Sequence, residues 1–393
     1  MLAKVPGLKV SARTSAFHFK GKDTPIPEVA QQLGVAYVVE GSVRKQGTQV
    51  RITAQLIKAA DGFHVWSDTF TRELKDVFAV QDEIAGLIAK NLSLKLGATS
   101  AAAKGAVNPE AFELYVQARQ ASNLRTPAGF DLAESMLTRA LALEPNFASA
   151  HAALADVWTR RLFLIPRSGD AEDQPNSAEQ ARIRAKITHA LTLDPDSAEA
   201  HASLGFVLAS DSKNSEAESP LRRAVALNPN YALAQQRLGR VLLNLAHMDE
   251  ALEHLKLATE LDPLTPAIWG GYGYGLRCAG RPTEAIVAFD RAIALQSDSS
   301  PWLKEKGATL AELGRFPEAV ALARSLSSDE GNGQLFVFAR AGLKAEVEAL
   351  LAARRSGADV SRVGPSSLLM LGRNEEALTF MTPQWIIRAG AAD

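Results

Sequence analysis

The residue types that could carry chemistry are seven histidines, one cysteine and a glycine-rich run. No histidine pair has metal-ligand spacing together with cysteines or carboxylates, so the sequence predicts no metal site. His151 and His201 occupy the same place in a repeated sequence, which favours a role in helix packing. Cys278 has no evident histidine partner and is predicted to be a structural thiol rather than a nucleophile.

The run Gly271-Tyr-Gly-Tyr-Gly has the composition of a phosphate-binding loop. Such a loop needs a strand before it and the N-terminus of a helix after it. Here the run lies inside the predicted first helix of a repeat, and Gly273 is a repeat position. The acidic residues of Trp66–Glu83 are explained by the polar face of a strand, and the basic, aromatic stretch His18–Lys22 by a solvated loop. We therefore predict no catalytic residue, no cofactor and no nucleic-acid contact for this chain.

Composition narrows the class of protein. The chain has 393 residues, of which 47% are hydrophobic and 22% charged, and its formal net charge is −1. These values are ordinary for a globular protein and exclude polyanion binding through bulk charge. The longest uncharged run, Pro263–Leu276, is too short and too rich in glycine to span a bilayer. The first residues lack the apolar core of a signal peptide, so the chain alone predicts a cytoplasmic protein without a transmembrane segment.

A short sequence ending in proline recurs along the chain. Ala-Val-Ala-Leu-Asn-Pro ends at Pro229, and related sequences end at Pro195 and Pro263, so that the three prolines keep a constant step of 34. Glycine and alanine keep the same step, which predicts close helix crossings, while each proline ends the second helix of a hairpin. The glycines are Gly205, Gly239, Gly273 and Gly307, and the alanines are Ala217, Ala251, Ala285 and Ala319.

Glycine, alanine and proline at this spacing resemble the tetratricopeptide repeat over roughly residues 109–327. The resemblance implies a solenoid of stacked helical hairpins, each burying the apolar face of its neighbour. The step from Pro145 to Pro195 is longer than the regular step, so one repeat carries an insertion. We place this insertion in the polar stretch Arg167–Glu179, as a loop between helices.

In the first hundred residues the hydrophobic pattern changes to a period of two. Val50, Ile52, Ala54 and Leu56 alternate with polar neighbours, which is typical of a strand with one buried face. The predicted elements are a strand at Leu8–Arg13, a helix at Pro25–Leu33, strands at Val35–Lys45, Thr48–Ala59 and Phe63–Glu73, and a helix at Asp76–Leu96.

This segment contains Leu33-Gly-Val-Ala-Tyr-Val-Val-Glu-Gly-Ser-Val-Arg and Trp66-Ser-Asp-Thr-Phe-Thr-Arg-Glu. It is similar to the second half of the TolB-like amino-terminal domain, which precedes tetratricopeptide repeats in bacterial cyclase-type and winged-helix signalling proteins. The resemblance implies a partial domain over residues 1–96, lacking the family's first strand and part of a helix. It also implies the periplasmic side of a membrane protein, and an open sheet edge that favours self-association.

The sequence therefore predicts an α+β multidomain protein in which a small α/β domain precedes an all-α solenoid. The predicted order is a partial TolB-like domain at residues 1–96, a linker at 97–108, the solenoid at 109–327 with its inserted loop near 167–179, degenerate hairpins at 328–382 and a tail at 383–393.

In the tetratricopeptide family the first helices of the hairpins face the concave side. Mapping these positions by the step of 34 gives a basic strip with aromatic residues, suited to an extended peptide that carries an acid group. The alternative is that an exposed helix face simply needs polar residues. The mapped groove residues are Phe206, Gln236, Arg240, Asn244, Tyr274, Arg277 and Lys304.

We predict a non-enzymatic interaction scaffold or sensory module of a bacterial signalling protein, which binds a protein or peptide partner in this groove. The alternative is an accessory region of an adenylate cyclase-like enzyme or of a transcriptional regulator, whose effector domain lies on a longer gene product. A hydrolase within the first hundred residues is disfavoured because no nucleophile motif is present.

Overall fold

The computed structural model describes residues 2–4, 8–46, 49–73, 83–88, 108–123, 126–164, 177–296, 300–326 and 331–356. The predicted linker up to residue 107, the insertion up to residue 176 and everything after residue 356 lie outside these ranges. The described residues form two compact units, the first reaching Ile268 and the second starting at Trp269. None of the described helices is long and apolar enough to cross a membrane.

A three-stranded antiparallel sheet lies in the first unit, with the order β1–β2–β3. Its strands are β1 at Tyr37–Gln46, β2 at Gln49–Lys58 and β3 at His64–Glu73. All three predicted strands and the preceding helix, observed at Ile26–Leu33, are confirmed. As the alternating sequence predicts, β2 has one buried face. This face packs on Phe70 of β3 and on the helical residues Ile84 and Leu87.

The predicted strand at Leu8–Arg13 is wrong. Residues 8–12 belong to no strand or helix in the described chain, and a short helix follows at Arg13–Phe17. The backbone N–H of Val10 donates to Asn230 Oδ1 at 3.1 Å, and that of Ala12 donates to the carbonyl of Leu261 at 2.6 Å. Since helical hairpins satisfy these groups, the segment needs no sheet partner. In the range predicted to be a partial TolB-like domain, the described residues form this small sheet and short helices.

Fourteen described helices follow, and they pair in chain order into seven hairpins, numbered here 1 to 7. Hairpin 1 is Pro109–Asn123 with Pro127–Leu143, hairpin 2 is Ala148–Leu164 with Ser177–Leu193, hairpin 3 is Ala198–Ser210 with Asn214–Leu227, hairpin 4 is Ala232–Asn244 with Met248–Leu261, hairpin 5 is Pro266–Cys278 with Pro282–Leu295, hairpin 6 is Ser300–Glu312 with Phe316–Ser325, and hairpin 7 is Gly331–Arg340 with Lys344–Ser356. Hairpins 1 to 4 lie in the first unit. Hairpins 6 and 7 and most of hairpin 5 lie in the second.

The repeat glycines lie where the two helices of a hairpin cross. A Cβ atom on Gly239 would lie 2.6 Å from Leu255 Cγ and 3.0 Å from the carbonyl oxygen of Ala251, which is too close for any side chain. The alanines at the twentieth repeat position are completely buried in hairpins 3 to 6. Gly307 is different, because its nearest contact would be Val337 Cγ2 at 3.7 Å. The crossing in hairpin 6 is therefore the loosest of the four.

A hydrogen bond closes the turn between successive hairpins. The imidazole Nε2–H of His151 donates to the carbonyl of Pro145 at 2.8 Å, and His201 donates in the same way to Pro195 at 2.9 Å. In hairpin 4 the amide of Gln235 takes the same role toward the carbonyl of Pro229. These histidines are therefore structural, and the carbonyl acceptor fixes their Nε2–H tautomer.

Candidate functional site

The first helices of hairpins 1, 2 and 3 line a small polar cavity in the first unit. Its volume is about 40 Å³, which is large enough for an ordered water but far smaller than a cofactor pocket. The polar lining residues are Arg119, Ser122, Asp156, Arg160, Glu199, Ser203 and Tyr231. In the described residues no group of histidine, cysteine and carboxylate side chains could hold a metal ion.

Asp156 is the centre of the buried charges around this cavity. It pairs with Arg160, whose Nε lies 2.7 Å from Asp156 Oδ2, and with Arg237 of hairpin 4. Burial alone would raise the pKa of Asp156, but the two guanidinium groups outweigh burial and lower this pKa to about 2. The carboxylate is therefore charged at any physiological pH and joins hairpin 2 to hairpin 4.

Arg237 is held from two further directions. Its Nη1 donates to the carbonyl of Ala202 at 3.2 Å, and its guanidinium lies 4.4 Å from the ring centroid of Phe206. The side chain is 6% exposed, so these contacts replace water around a permanent charge. Phe206, predicted from sequence as a groove residue, serves here as a platform for an arginine.

Arg119 completes the charged group on the first helix of hairpin 1. It donates to the Tyr115 hydroxyl at 3.0 Å and lies 3.6 Å from Glu199. Burial raises the pKa of nearby Tyr231 to about 12, so this phenol stays neutral. We call Arg119, Asp156, Arg160, Glu199 and Arg237 the arginine cluster. Its three guanidinium groups face two carboxylates, which leaves one net positive charge.

The arginine cluster was not identified from the sequence, although a signal for it exists. Asp156 follows Pro145 at the same spacing at which Phe206 follows Pro195 and Arg240 follows Pro229. The groove residues were assigned with the step of 34 starting after the insertion. Phe206 and Arg240 were therefore included, and Asp156, which precedes the insertion, was omitted.

The other predicted groove residues of the first unit have different surroundings. Gln236 is buried, and its amide donates to the carbonyl of Ala267 at 2.6 Å. Asn244 is exposed and donates to Asn214 Oδ1 at 3.1 Å. Arg240 is exposed and makes no hydrogen bond or ion pair within the described chain. Of this set, Arg240 therefore has the guanidinium most available to a ligand.

In the second unit, Arg277 is already neutralised by the chain itself. It contacts Glu312 at 2.8 Å and Glu305 at 3.2 Å, and its guanidinium lies 5.4 Å from the Tyr274 ring centroid. Burial opposes the charge, but these carboxylates outweigh it and raise the pKa of Arg277. Lys304 is half-buried, and burial lowers its pKa despite neighbouring Glu305. Tyr274 is 39% exposed and leaves a ring edge accessible.

Comparison with known proteins identifies the repeats. Family models of the tetratricopeptide repeat match residues 208–272 and 276–333, which confirms these repeats where the step of 34 is most regular. Such repeats form interaction scaffolds and are typically non-catalytic. Neither match reaches residues 1–96, so the TolB-like resemblance is not confirmed.

A curated relative, "Putative adenylate cyclase 3" of Rhizobium meliloti (strain 1021), is 43% identical over 157 residues. The match covers 39% of this chain and only 27% of the relative, about a quarter of its length.

Solved tetratricopeptide proteins give weaker similarities. YrrB, described as having an unusual peptide-binding site, is 23% identical with a TM-score of 0.32, and the match covers 50% of this chain and 91% of YrrB. A thermophilic tetratricopeptide protein of Thermus thermophilus is 20% identical with a TM-score of 0.40, over 51% of this chain and 98% of its own.

Proposed function

We propose that this chain is the non-catalytic, peptide-binding part of a bacterial signalling protein. Its ligand is an extended segment with acidic side chains, lying along the first helices of hairpins 1 to 4. The observation that carries the proposal is the charge on this face, where the arginine cluster has one net positive charge and Arg240 adds an exposed guanidinium.

The position of these groups supports an anionic ligand. Asp156, Phe206 and Arg240 occupy equivalent places in three successive repeats, so they mark one continuous face of the first helices, on which Asp156 and Phe206 hold arginines and Arg240 is exposed. Asp156 holds the side chains of Arg160 and Arg237 in place. Because both guanidinium groups stay charged, the face has a permanent positive potential. Tyr231 and Ser203 provide hydroxyl groups at the same cavity.

The test is a peptide array graded in acidic content, probed with the full chain. We expect binding to increase with acidic content and to weaken by roughly tenfold or more in Arg240→Ala, because a charge-assisted hydrogen bond contributes about 1.5–3 kcal/mol. Arg291→Ala is the matched control, since Arg291 is an exposed arginine on the second helix of hairpin 5. Equal signals from acidic and neutral peptides would refute the proposal.

Within the second unit by itself, we propose Tyr274 and Lys304 as peptide contacts of that unit's own first helices, whereas Arg277 needs its carboxylate partners displaced before it can bind an anion. Arg277→Ala should therefore lower stability more than it lowers peptide affinity. From the TolB-like resemblance, we propose that binding occurs on the periplasmic side of a membrane protein.

A second candidate is the accessory region of a cyclase-type enzyme, favoured by the 43% identity to part of a putative adenylate cyclase. In that case the scaffold transmits ligand binding to an effector domain on the same longer product. Sequencing the locus separates the two, because the accessory function requires a catalytic or DNA-binding domain in the same reading frame. A locus without one would contradict it.

A further inference from the structure

The segment Leu8–Ser15 lies across the turns that follow hairpins 3 and 4, all within the first unit. We define the turn site as the residues that receive it: Asn230, Glu260, Leu261, Asp262 and Leu264. We propose that the turn site is a binding site for a basic peptide segment that is extended at first and starts a helix at its Thr-Ser pair, and that the chain's own residues 8–15 fill it as a resident competitor.

Asn230 provides the recognition of an extended backbone. Its amide nitrogen donates to the carbonyls of Ala3 and Leu8 at 2.7 and 2.9 Å, and its amide oxygen accepts from the N–H of Val10 at 3.1 Å. All these partners are main-chain groups, so the contacts do not depend on the identity of the bound residues. Ala3 lies in the short helical turn Leu2–Lys4, outside the segment, so the contacts that a peptide of residues 7–17 can reproduce are those to Leu8 and Val10.

Asp262 provides the side-chain specificity. It is 5% exposed, and it accepts hydrogen bonds from Ser15 Oγ at 2.6 Å and Thr14 Oγ1 at 3.0 Å. Ser15 Oγ in turn accepts from the N–H of Leu264 at 2.9 Å. A buried carboxylate needs such donors, so the site selects adjacent hydroxyl residues.

The charged ends of the segment contribute less. Lys9 pairs with Glu260, but both side chains are solvent-exposed, Lys9 more than Glu260, and ion pairs between exposed side chains are weak. Arg13 is exposed, and its guanidinium lies over the ring of Phe17 in the same segment, 4.5 Å from the ring centroid, rather than on the turn site. The partner is therefore a segment with a basic residue five positions before a Thr-Ser pair, and its central arginine is dispensable.

This site is separate in chemistry from the groove proposed above. The arginine cluster is net positive and takes an acidic ligand, whereas Glu260 and Asp262 make the turn site acidic. A tethered segment has a high effective concentration, so a free peptide must compete with it until the tether is weakened. Binding in trans should therefore be detectable only after the resident segment is released.

The experiment uses a labelled peptide of residues 7–17 and the full chain. In the released variant, Val10→Pro removes the N–H donated to Asn230, and Ser15→Ala removes the hydroxyl that bonds Asp262. We expect the peptide to bind the released variant at least tenfold more tightly than wild type. Adding Asn230→Ala should reverse this gain, while adding Asn146→Ala, at the exposed asparagine that follows Pro145 as Asn230 follows Pro229, should not.

Circular dichroism melting of each variant checks that the hairpins remain folded. A peptide that carries Ser15→Ala tests the same contact without any change to the protein. That peptide should bind the released variant at least tenfold more weakly. Equal affinity for wild type and released variant, no binding to a folded released variant, or affinity insensitive to Asn230 would each overturn the proposal.

Discussion

At the scale of single residues, Asp156 holds the arginine cluster together. One carboxylate holds two buried arginines from different hairpins, and each guanidinium would otherwise be left uncompensated. Such a carboxylate stabilises the fold mainly because its removal leaves unpaired buried charge. The same residue keeps the arginines in place for an anionic ligand, so stability and binding share it.

Asp156→Asn should therefore destabilise the chain by about 3 kcal/mol at neutral pH, because it leaves Arg160 and Arg237 without their counter-charge. Urea denaturation of both proteins measures the difference. Asp131→Asn is the control, since Asp131 pairs with Arg161 on the surface and its loss should change stability by less than about 1 kcal/mol. Equal losses of stability in the two variants would show that the buried ion pairs of Asp156 contribute no more than a surface ion pair.

The same residue predicts a pH dependence. The folded pKa of Asp156 is about 2, below its usual 3.8. A lowered pKa contributes stability that is present above the unfolded value and is lost as pH falls through the folded value, here about 2 kcal/mol in total. The stability difference between wild type and Asp156→Asn should therefore shrink between pH 4 and pH 2. A difference that stays constant over this range would contradict the assigned pairing.

At the scale of elements, the repeat positions have distinct mechanical roles. The glycine allows two helices to cross closely, and the residue at the following turn takes a left-handed conformation. That turn residue is Ser212, Ala246, Gly280 and Gly314 in hairpins 3 to 6, each with φ between 61° and 73°. The period of 34 thus fixes packing and turn geometry together.

Gly239→Ala should destabilise the chain by about 1–3 kcal/mol, because the added Cβ meets Leu255 and a backbone carbonyl that cannot move freely. Gly307→Ala is the matched variant at the same repeat position, where the nearest atom to an added Cβ, Val337 Cγ2, lies at an ordinary contact distance of 3.7 Å. It should be neutral or stabilising by up to about 1 kcal/mol through helix propensity. Thermal melts compare the two, and equal destabilisation would show that the crossings do not differ.

The turns give a prediction of opposite sign. Ala246 has a φ of 61°, a conformation that costs a residue with a Cβ about 1 kcal/mol. Ala246→Gly should therefore raise stability by roughly half to one kcal/mol, and Gly280→Ala at the equivalent turn should lower it by a similar amount. Chemical denaturation checks both, and a loss of stability in Ala246→Gly would refute the assigned strain.

How much the sequence could predict differs between these elements. Helices, strands and the hairpin register follow from periodicity, because each depends on local residue types and on one period. The strand at Leu8–Arg13 failed because its apolar alternation suits any extended chain, and the acceptors on Asn230 and Leu261 belong to hairpins far along the sequence.

At the scale of the whole molecule, a repeat framework presents two chemically different surfaces. The first-helix face is basic, through the arginine cluster and Arg240, and the turn site is acidic, through Glu260 and Asp262. Ion pairs that the chain makes with itself, such as Arg277 with Glu305 and Glu312, decide which charges remain for a partner. Sequence mapping assigns residues such as Arg277 to a predicted face, but it does not reveal this internal pairing.

The most direct test of the account is a double-mutant cycle on the basic face. Isothermal titration calorimetry would compare the best acidic peptide with its Glu-to-Gln copy, each against wild type and Arg240→Ala. We predict a coupling of at least about 1.5 kcal/mol, so that neutralising the peptide weakens binding by roughly tenfold or more in wild type and changes little in the variant. A coupling of zero, with the acidic peptide preferred equally by both proteins, would contradict the claim that this face binds an acidic partner through Arg240.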